Sequence, residues 1–395
     1  MKLIRRLLPV VAALALMGGC WIATSGPASA ASSKAPILIG GVCSCTGPEG
    51  NDPGLFQPYE AWVDTVNASG GINGHHVKFV FMDDQGNPGL SVSDAKTLVQ
   101  TDHVIALVDS TNDDAGWASF VQSAKIPVIG AGNSTMPFFT NPDFYAEGQT
   151  EDALYASIID AAKAAKAKSL ALIYCAEAIQ CQEGIAPLKQ VGQQLGLPVT
   201  VASEVSYSAP SYTAQCITSQ QAKVGAVFVA DVFSVVVKMV TDCAQQGYNP
   251  IYVVDGLDLA PSFTAVKSAM YLPVSNLPFF AKTAGIKTMN AAFDKYFPGL
   301  RKSSIYNEGD VGLWASGLLF QAAAKAGGVG ANGSTPTPAQ VVKGLESLKG
   351  DTLGGLAPPL TFPAGKAHPI HCWFSSAVLH GSFSLPIGTK TVCLK

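Results

Sequence analysis

Cysteine is the residue type whose number and spacing most invite a chemical reading: there are nine in 395 residues. Cys175 and Cys181 flank a short loop after an apolar run. Cys216 and Cys243 fall in two consecutive helix-period segments around one strand, so they can meet on one face of a sheet. Cys372 and Cys393 bracket a terminal hairpin. Closing three such loops stabilises by roughly 2.4, 3.6 and 3.4 kcal/mol in the chain-entropy picture, taken as upper figures. Cys43 and Cys45 stand at i and i+2 on one strand face, where a bridge is allowed but strained. The rival reading of this CxC is a metal or redox pair, and no histidine lies near it in sequence. His368-x-x-His371-Cys372 fits no standard ligand spacing, and His75-His76 falls in a turn and is expected to be solvated. We therefore expect no metal and no cofactor. GxxxxGK[ST], HExxH and GxSxG are all absent, no catalytic constellation is found, and an enzyme is not expected.

The elements that must position any site alternate. Ile37–Val42 reads as a strand, Pro58–Ser69 as a helix and Val77–Met82 as a strand. Gly89–Thr101 follows as a helix, Val104–Val108 as a strand, Asp113–Ser123 as a helix and Ile126–Ile129 as a strand. The rhythm restarts at Thr150 with strands at Ser169–Tyr174, Val199–Glu204, Ala226–Ala230 and Ile251–Val254, separated by helices. Strands such as Val227-Phe228-Val229 are continuously apolar, as burial on both faces requires. The pattern predicts an α/β protein of two doubly wound parallel-sheet lobes. The chain crosses between them near Pro142–Gln149 and Pro273–Pro278, and Val311–Ala326 and Pro338–Leu348 return as helices to the first lobe. The tail, with Thr361-Phe362 and Cys372–Leu379, reads as a hairpin of the second lobe. The expected division is a leader over 1–30, a first lobe over 35–145 and 279–349, and a second over 146–278 and 350–395.

Open parallel sheets bind ligands outside the carboxyl ends of their strands. Those positions carry Ser110-Thr111-Asn112, Asn133-Ser134-Thr135, Tyr174-Cys175, Asp231 and Asp255-Gly256-Leu257-Asp258. The set suits a small polar solute better than a phosphate or a metal. Ser110 and Thr111 could hold a carboxylate with the free N–H groups of the following helix, or could simply cap that helix. Asp255 could pair with a ligand ammonium, or could be a plain turn residue.

Length and composition set the outer bounds. At roughly 100–200 residues per domain, two lobes are expected. Hydrophobic residues are 48% of the chain and charged residues 13%, about half the usual charged share. A formal net charge of −3 excludes a strongly basic nucleic-acid binder. Met1-Lys2-Leu3-Ile4-Arg5-Arg6 and the apolar run Leu7–Met17 read as a secretory leader, too short to span about 30 Å of hydrocarbon. Met17-Gly18-Gly19-Cys20 resembles a bacterial lipobox, which would make Cys20 an acylated membrane anchor; Ala28-Ser29-Ala30 is the competing cleavage site. Either way eight cysteines remain for bridges. Without Lys2, Arg5 and Arg6 the 25 bases become 22 against 28 acids, a net −6. No later stretch has eighteen unbroken apolar residues, so the mature protein is expected outside the cytoplasm, at most tethered to the outer face of the membrane.

Asn67-Ala68-Ser69-Gly70-Gly71-Ile72-Asn73-Gly74, followed by His75-His76-Val77 and Asp83-Asp84, resembles the signature of type I periplasmic binding proteins. The nearer match is the Leu/Ile/Val (branched-chain amino acid) receptor group of ABC importers. Gly40-Gly41-Val42 with Thr46-Gly47-Pro48, Ile126-Pro127-Val128-Ile129 with Asn133-Ser134, and Asp242-Cys243-Ala244-Gln245-Gln246-Gly247-Tyr248 carry the same likeness. The resemblance implies a two-lobed clamp with a three-segment hinge that hands a small-molecule ligand to a membrane permease. It also implies that Ser110 and Ser134 hold a ligand carboxylate and Asp255 an α-ammonium. Two departures alter the cleft walls: the loop Cys175–Cys181 replaces the family's tyrosine–glycine pair, and Cys43 and Cys45 stand in the first ligand loop. Branched-chain specificity therefore does not carry over, and an amino acid-like, amide or carboxylate ligand is expected. A signalling receptor with the same fold and an exported hydrolase are the rival readings.

Overall fold

The computed structural model describes residues 34–47, 52–130, 135–177 and 179–394. The leader, Cys20, Asn133 and Ser134 lie outside the described residues. In chain order the first series is β1 (Ile37–Cys43), α1 (Gln57–Ala68), β2 (Val77–Asp83), α2 (Pro88–Gln100) and β3 (Leu107–Ser110). It continues with α3 (Ala118–Ala124), β4 (Val128–Ile129), α4 (Pro137–Thr140) and β5 (Phe144–Tyr145). The second series is α5 (Glu151–Ala164), β6 (Leu170–Cys175), α6 (Ile179–Glu183), α7 (Ile185–Gln194), β7 (Val199–Val205) and α8 (Thr213–Gln221). After these come β8 (Ala226–Ala230), α9 (Phe233–Gln245), β9 (Ile251–Val254) and β10 (Met270–Val274). The last third holds α10 (Ala284–Tyr296), α11 (Gly309–Gly327), α12 (Pro338–Ser347), β11 (Lys349–Asp351) and β12 (Leu360–Thr361). The chain ends with β13 (Cys372–Leu379), β14 (Ser382–Ser384) and β15 (Thr391–Cys393).

Two sheets carry these elements. The first is all parallel in the order β2-β1-β3-β4-β5. The second repeats that winding as β7-β6-β8-β9-β10 and adds antiparallel β13 beside β10, with β14 and β15 on β13's other edge. Each sheet thus reverses direction once, between β1 and β3 and between β6 and β8, and the crevices at these switch points are where open sheets take ligands. Both crossings leave a strand at its carboxyl end: 146–150 runs from β5 to the start of α5, and 275–278 runs out of β10. The carboxyl edges of the two sheets therefore border one hinge. Asn276 Nδ2 donates to Glu147 O at 3.1 Å and ties the two crossings together.

Local sequence explains the framework. Asn67 brackets Val77, donating to its carbonyl and accepting from its N–H at 2.8 Å each, so it docks the end of α1 on the start of β2. A side chain on Gly71, at φ +76°, would overlap the carbonyl of His75. The Gly-Gly-Ile-Asn-Gly signature is thus a turn held by close backbone approach. Asn87 caps α2, with Pro88 at its first position, and Thr337 with Gln340 forms a capping box on α12. α11 is buried on nearly all sides, its Trp314 and Phe320 packing edge-on to Phe293 and Trp62.

Four expectations shift. Asp113–Ser123 is not one helix but a 3-10 turn over 114–116 followed by α3. β10 is a strand where only a crossing was expected; its pairing with β9 stops at Tyr271, two residues before Pro273, which has no N–H to give. Thr361 pairs with Lys349 of β11, and β13 forms its hairpin with β14 instead. Leu356 accepts from Leu277 N at 2.7 Å and Phe362 packs edge-on to Tyr145, so the segment after α12 runs beside the other two crossings. His75 is also buried, its ring nitrogens 2.6 and 3.0 Å from the carbonyls of Ala35 and Gly330, while His76 is exposed.

The eight cysteines form Cys43–Cys45, Cys175–Cys181, Cys216–Cys243 and Cys372–Cys393. Cys43 ends β1 and the short bridge to Cys45 fixes the residue between them, Ser44, at the first switch point.

Candidate functional site

At the first switch point the chain places Ser44 after β1 and Thr111 after β3, with their hydroxyls 3.1 Å apart. Ser44 Oγ donates to Asp84 Oδ1 at 2.8 Å, and Thr111 Oγ1 accepts from Asp113 N at 3.1 Å. With Ser44's proton on Asp84, Thr111's proton is left to bridge to Ser44. Asp84 is fully buried, and its Oδ2 has no partner among the described residues. Behind this row Asp109 Oδ1 accepts from Thr111 N at 3.2 Å, and Asp114 accepts from Thr135 Oγ1. Asp109 and Asp114 are both fully buried. Burial, with the neighbouring acid, pushes Asp109 well above the usual carboxylate range, and burial pushes Asp114 up to about 6. Ser110 is half-buried, and its carbonyl accepts from Ser44 N at 3.1 Å.

The second switch point presents Cys175 and Asp231. Asp231 Oδ1 accepts from Val232 N at 2.8 Å at the start of α9, while Oδ2 is buried without a partner among the described residues; burial pushes the group up to about 6. In the loop closed by Cys175–Cys181, Glu177 gathers Ser206 Oγ at 2.7 Å, Tyr207 N at 3.0 Å and Ala176 N at 3.1 Å, and these donors hold it below the usual range. Asp255 accepts from Leu257 N at 3.0 Å and so caps the 3-10 turn over 256–258; burial raises its pKa.

The structure therefore sets Ser110 and Thr111 together at one switch point, Asp231 at the other, and Asp255 one strand further along. Sequence reading missed Ser44 as the partner of Thr111 and Asp84 as the partner of Ser44, although both lie in loops already marked by the CxC and Asp-Asp motifs. It also missed an apolar fringe: Met136, Tyr207, Val232 and Leu257 are 59%, 64%, 52% and 44% exposed, each just past a strand's carboxyl end or the loop that follows it. His368 is buried against the rings of Tyr145 and Phe362, and burial lowers it to about 4, so it packs as a neutral ring. Among the described residues no three His, Cys, Asp or Glu side chains converge to hold a metal. A cavity of about 500 Å³ lined by Asp52, Gln57, Tyr296, Leu300 and Ile305 lies on the first lobe and contains none of these groups.

The family model described as periplasmic binding protein matches residues 36–381. The chain belongs to the periplasmic binding protein family. A branched-chain amino acid ABC transporter protein from Thermus thermophilus, solved with bound valine, is similar with a TM-score of 0.78 at 15% identity, over 92% of this chain and 97% of that one. A fatty acid ABC transporter substrate-binding protein from Thermomonospora curvata has a TM-score of 0.67 at 16% identity, over 91% and 93%. A solute-binding protein from R. palustris in complex with benzoate gives 0.69 at 14%, over 91% and 98%. At these identities the likeness is one of fold. No curated protein matches the chain.

Proposed function

We propose that this member of the periplasmic binding protein family is the extracytoplasmic solute-binding component of an ABC importer. Its lobes close at the hinge on a small polar solute of the amino acid-like, amide or carboxylate class and present it to a membrane permease. The observation that carries the reading is that both switch points open on carboxyl edges bordering one hinge, each edged by polar groups and exposed apolar side chains. Ser110 and Thr111, completed by Asn133 and Ser134, take one end of the solute; Asp231 and Asp255 take the other. The leader exports the chain, and acylation of Cys20 tethers it beside its permease. The likeness to proteins solved with valine and with benzoate supports a small organic ligand, and their diversity leaves its chemistry to the residues of this cleft.

A thermal-shift screen against amino acids, amides, urea and aromatic acids tests this reading. A rise in melting temperature, with the ligand recovered unchanged, is the expected result. Turnover of the bound compound would mean an exported hydrolase instead, and the absence of permease and ATPase genes beside this one would mean a signalling receptor.

A further inference from the structure

The chain is electrically polarised along its strands. The loops that follow the carboxyl ends of β1 to β8 contain no lysine, arginine or histidine, and those after β9 and β10 carry one lysine each, Lys267 and Lys282. They and the strand ends carry Asp83, Asp84, Asp113, Glu177, Asp231 and Asp255. Five lysines stand at the opposite ends, Lys34 before β1, Lys125 before β4, Lys168 before β6, Lys223 before β8 and Lys267 before β10, while Lys238 of α9 is tied down in the loop after β7 by its bond to Ala209 O at 2.8 Å. A cleft with walls of one sign concentrates ligands of the other.

Hydrogen-bond direction points the same way. A ligand carboxylate at the first switch point needs donors, but Ser44 spends its proton on Asp84 and Thr111 bridges back to Ser44. Turning the Ser44 hydroxyl toward a carboxylate would strip a donor from Asp84, which is fully buried with Oδ2 unpartnered among the described residues, and turning Thr111 would break its bond to Ser44. The outward lone pairs of this row accept; they do not donate. The exposed Tyr207 ring and the aliphatic Met136, Val232 and Leu257 supply the apolar body such a site lacks, and an aromatic face attracts an ammonium.

We propose that the cleft selects an organic cation, an amine with a short apolar body and no free carboxylate, over amino acids and carboxylic acids. Its ammonium rests against the Ser44–Thr111 row on one lobe and Asp231 with Asp255 on the other. This inference rests on the clamp reading of the preceding section and narrows its ligand.

The test uses one carbon skeleton in four charge states: 3-methylbutylamine, leucinamide, leucine and 4-methylpentanoate. Calorimetry at pH 7.5 on the full mature chain reads affinity, and small-angle scattering reads closure. The two amines should bind and close the protein, with leucine at least about tenfold weaker and 4-methylpentanoate silent. Raising salt from about 0.05 to 0.5 M should weaken the amines. Asp231→Asn and Asp255→Asn, each checked for native circular dichroism, should each cost about tenfold for the amines. Leucine or 4-methylpentanoate binding as tightly as the amines, with closure, overturns the cation selectivity and leaves the clamp standing. Failure of both amines to bind overturns it outright, and absence of closure with every compound removes the clamp reading as well.

Discussion

At the scale of single residues, the first switch point is a relay of side chains whose partners come from three different strands. Ser44 follows β1, Asp84 follows β2 and Thr111 follows β3, and only the sheet order β2-β1-β3 puts them in contact. Removing the Ser44 hydroxyl leaves a buried carboxylate with one donor fewer. Ser44→Ala should therefore cost about 1–3 kcal/mol of stability in urea titration. Because Ser44 and Asp84 share that bond, the double variant with Asp84→Asn should fall short of the sum by on the order of 1 kcal/mol, and strict additivity would mean the bond does not exist in solution. Ser44 was legible as a loop residue inside the CxC; its partner was not, since they are 40 residues apart.

Among the elements, α11 and α12 show how close packing and composition meet. Gly327 ends α11 and Gly344 lies inside α12, and a Cβ on either would overlap backbone, the carbonyl of Gln340 or of Ala323. Backbone cannot swing aside as a side chain can. Gly344→Ala should lower stability by about 1–3 kcal/mol despite the roughly 1 kcal/mol that alanine adds in helix propensity. A denaturation midpoint equal to or above that of the parent chain would show that the helices separate freely. The bridges act at the same scale. Cys216–Cys243 staples α8 to α9 and closes the longest of the four loops, so its paired replacement by serine should cost on the order of 3 kcal/mol, more than any other pair. The helices and most strands were readable from period and caps. β10 was not, because proline in a short apolar run reads as a break until an antiparallel neighbour is known to cover it.

For the whole molecule, the hinge region is acidic and buried. Glu308 accepts from Phe279 N at 3.2 Å with its other oxygen unpartnered, and burial raises it well above the carboxylate range. Asp310, at the start of α11, is pushed up to about 7 by burial. A carboxyl whose folded pKa lies above its unfolded value near 3.8 keeps in the native state a proton that the unfolded chain has lost. Stability is then full near pH 4 and falls as pH rises to about 7, by on the order of a few kcal/mol from Asp310. Urea midpoints between pH 5 and pH 8 should fall, and Asp310→Asn should flatten the fall. A rise over that range would show that these acids are ionised in the folded protein.

Nine cysteines, a basic N-terminal segment and two series of alternating strands and helices are properties of the one-dimensional chain. They determine by themselves an α/β protein of two parallel-sheet lobes whose cysteines, Cys20 aside, can pair within local loops, because period, hydropathy and loop closure act over short sequence distances. What the tertiary structure alone decided is which polar groups face one another. That Thr111 gives its proton toward Ser44, that Asp109 and Asp114 are buried together, and that acids crowd the carboxyl edges all depend on parallel strands lining up their ends. Electrostatic and hydrogen-bond partners are chosen across sheets, between residues tens of positions apart, and no local pattern carries that choice.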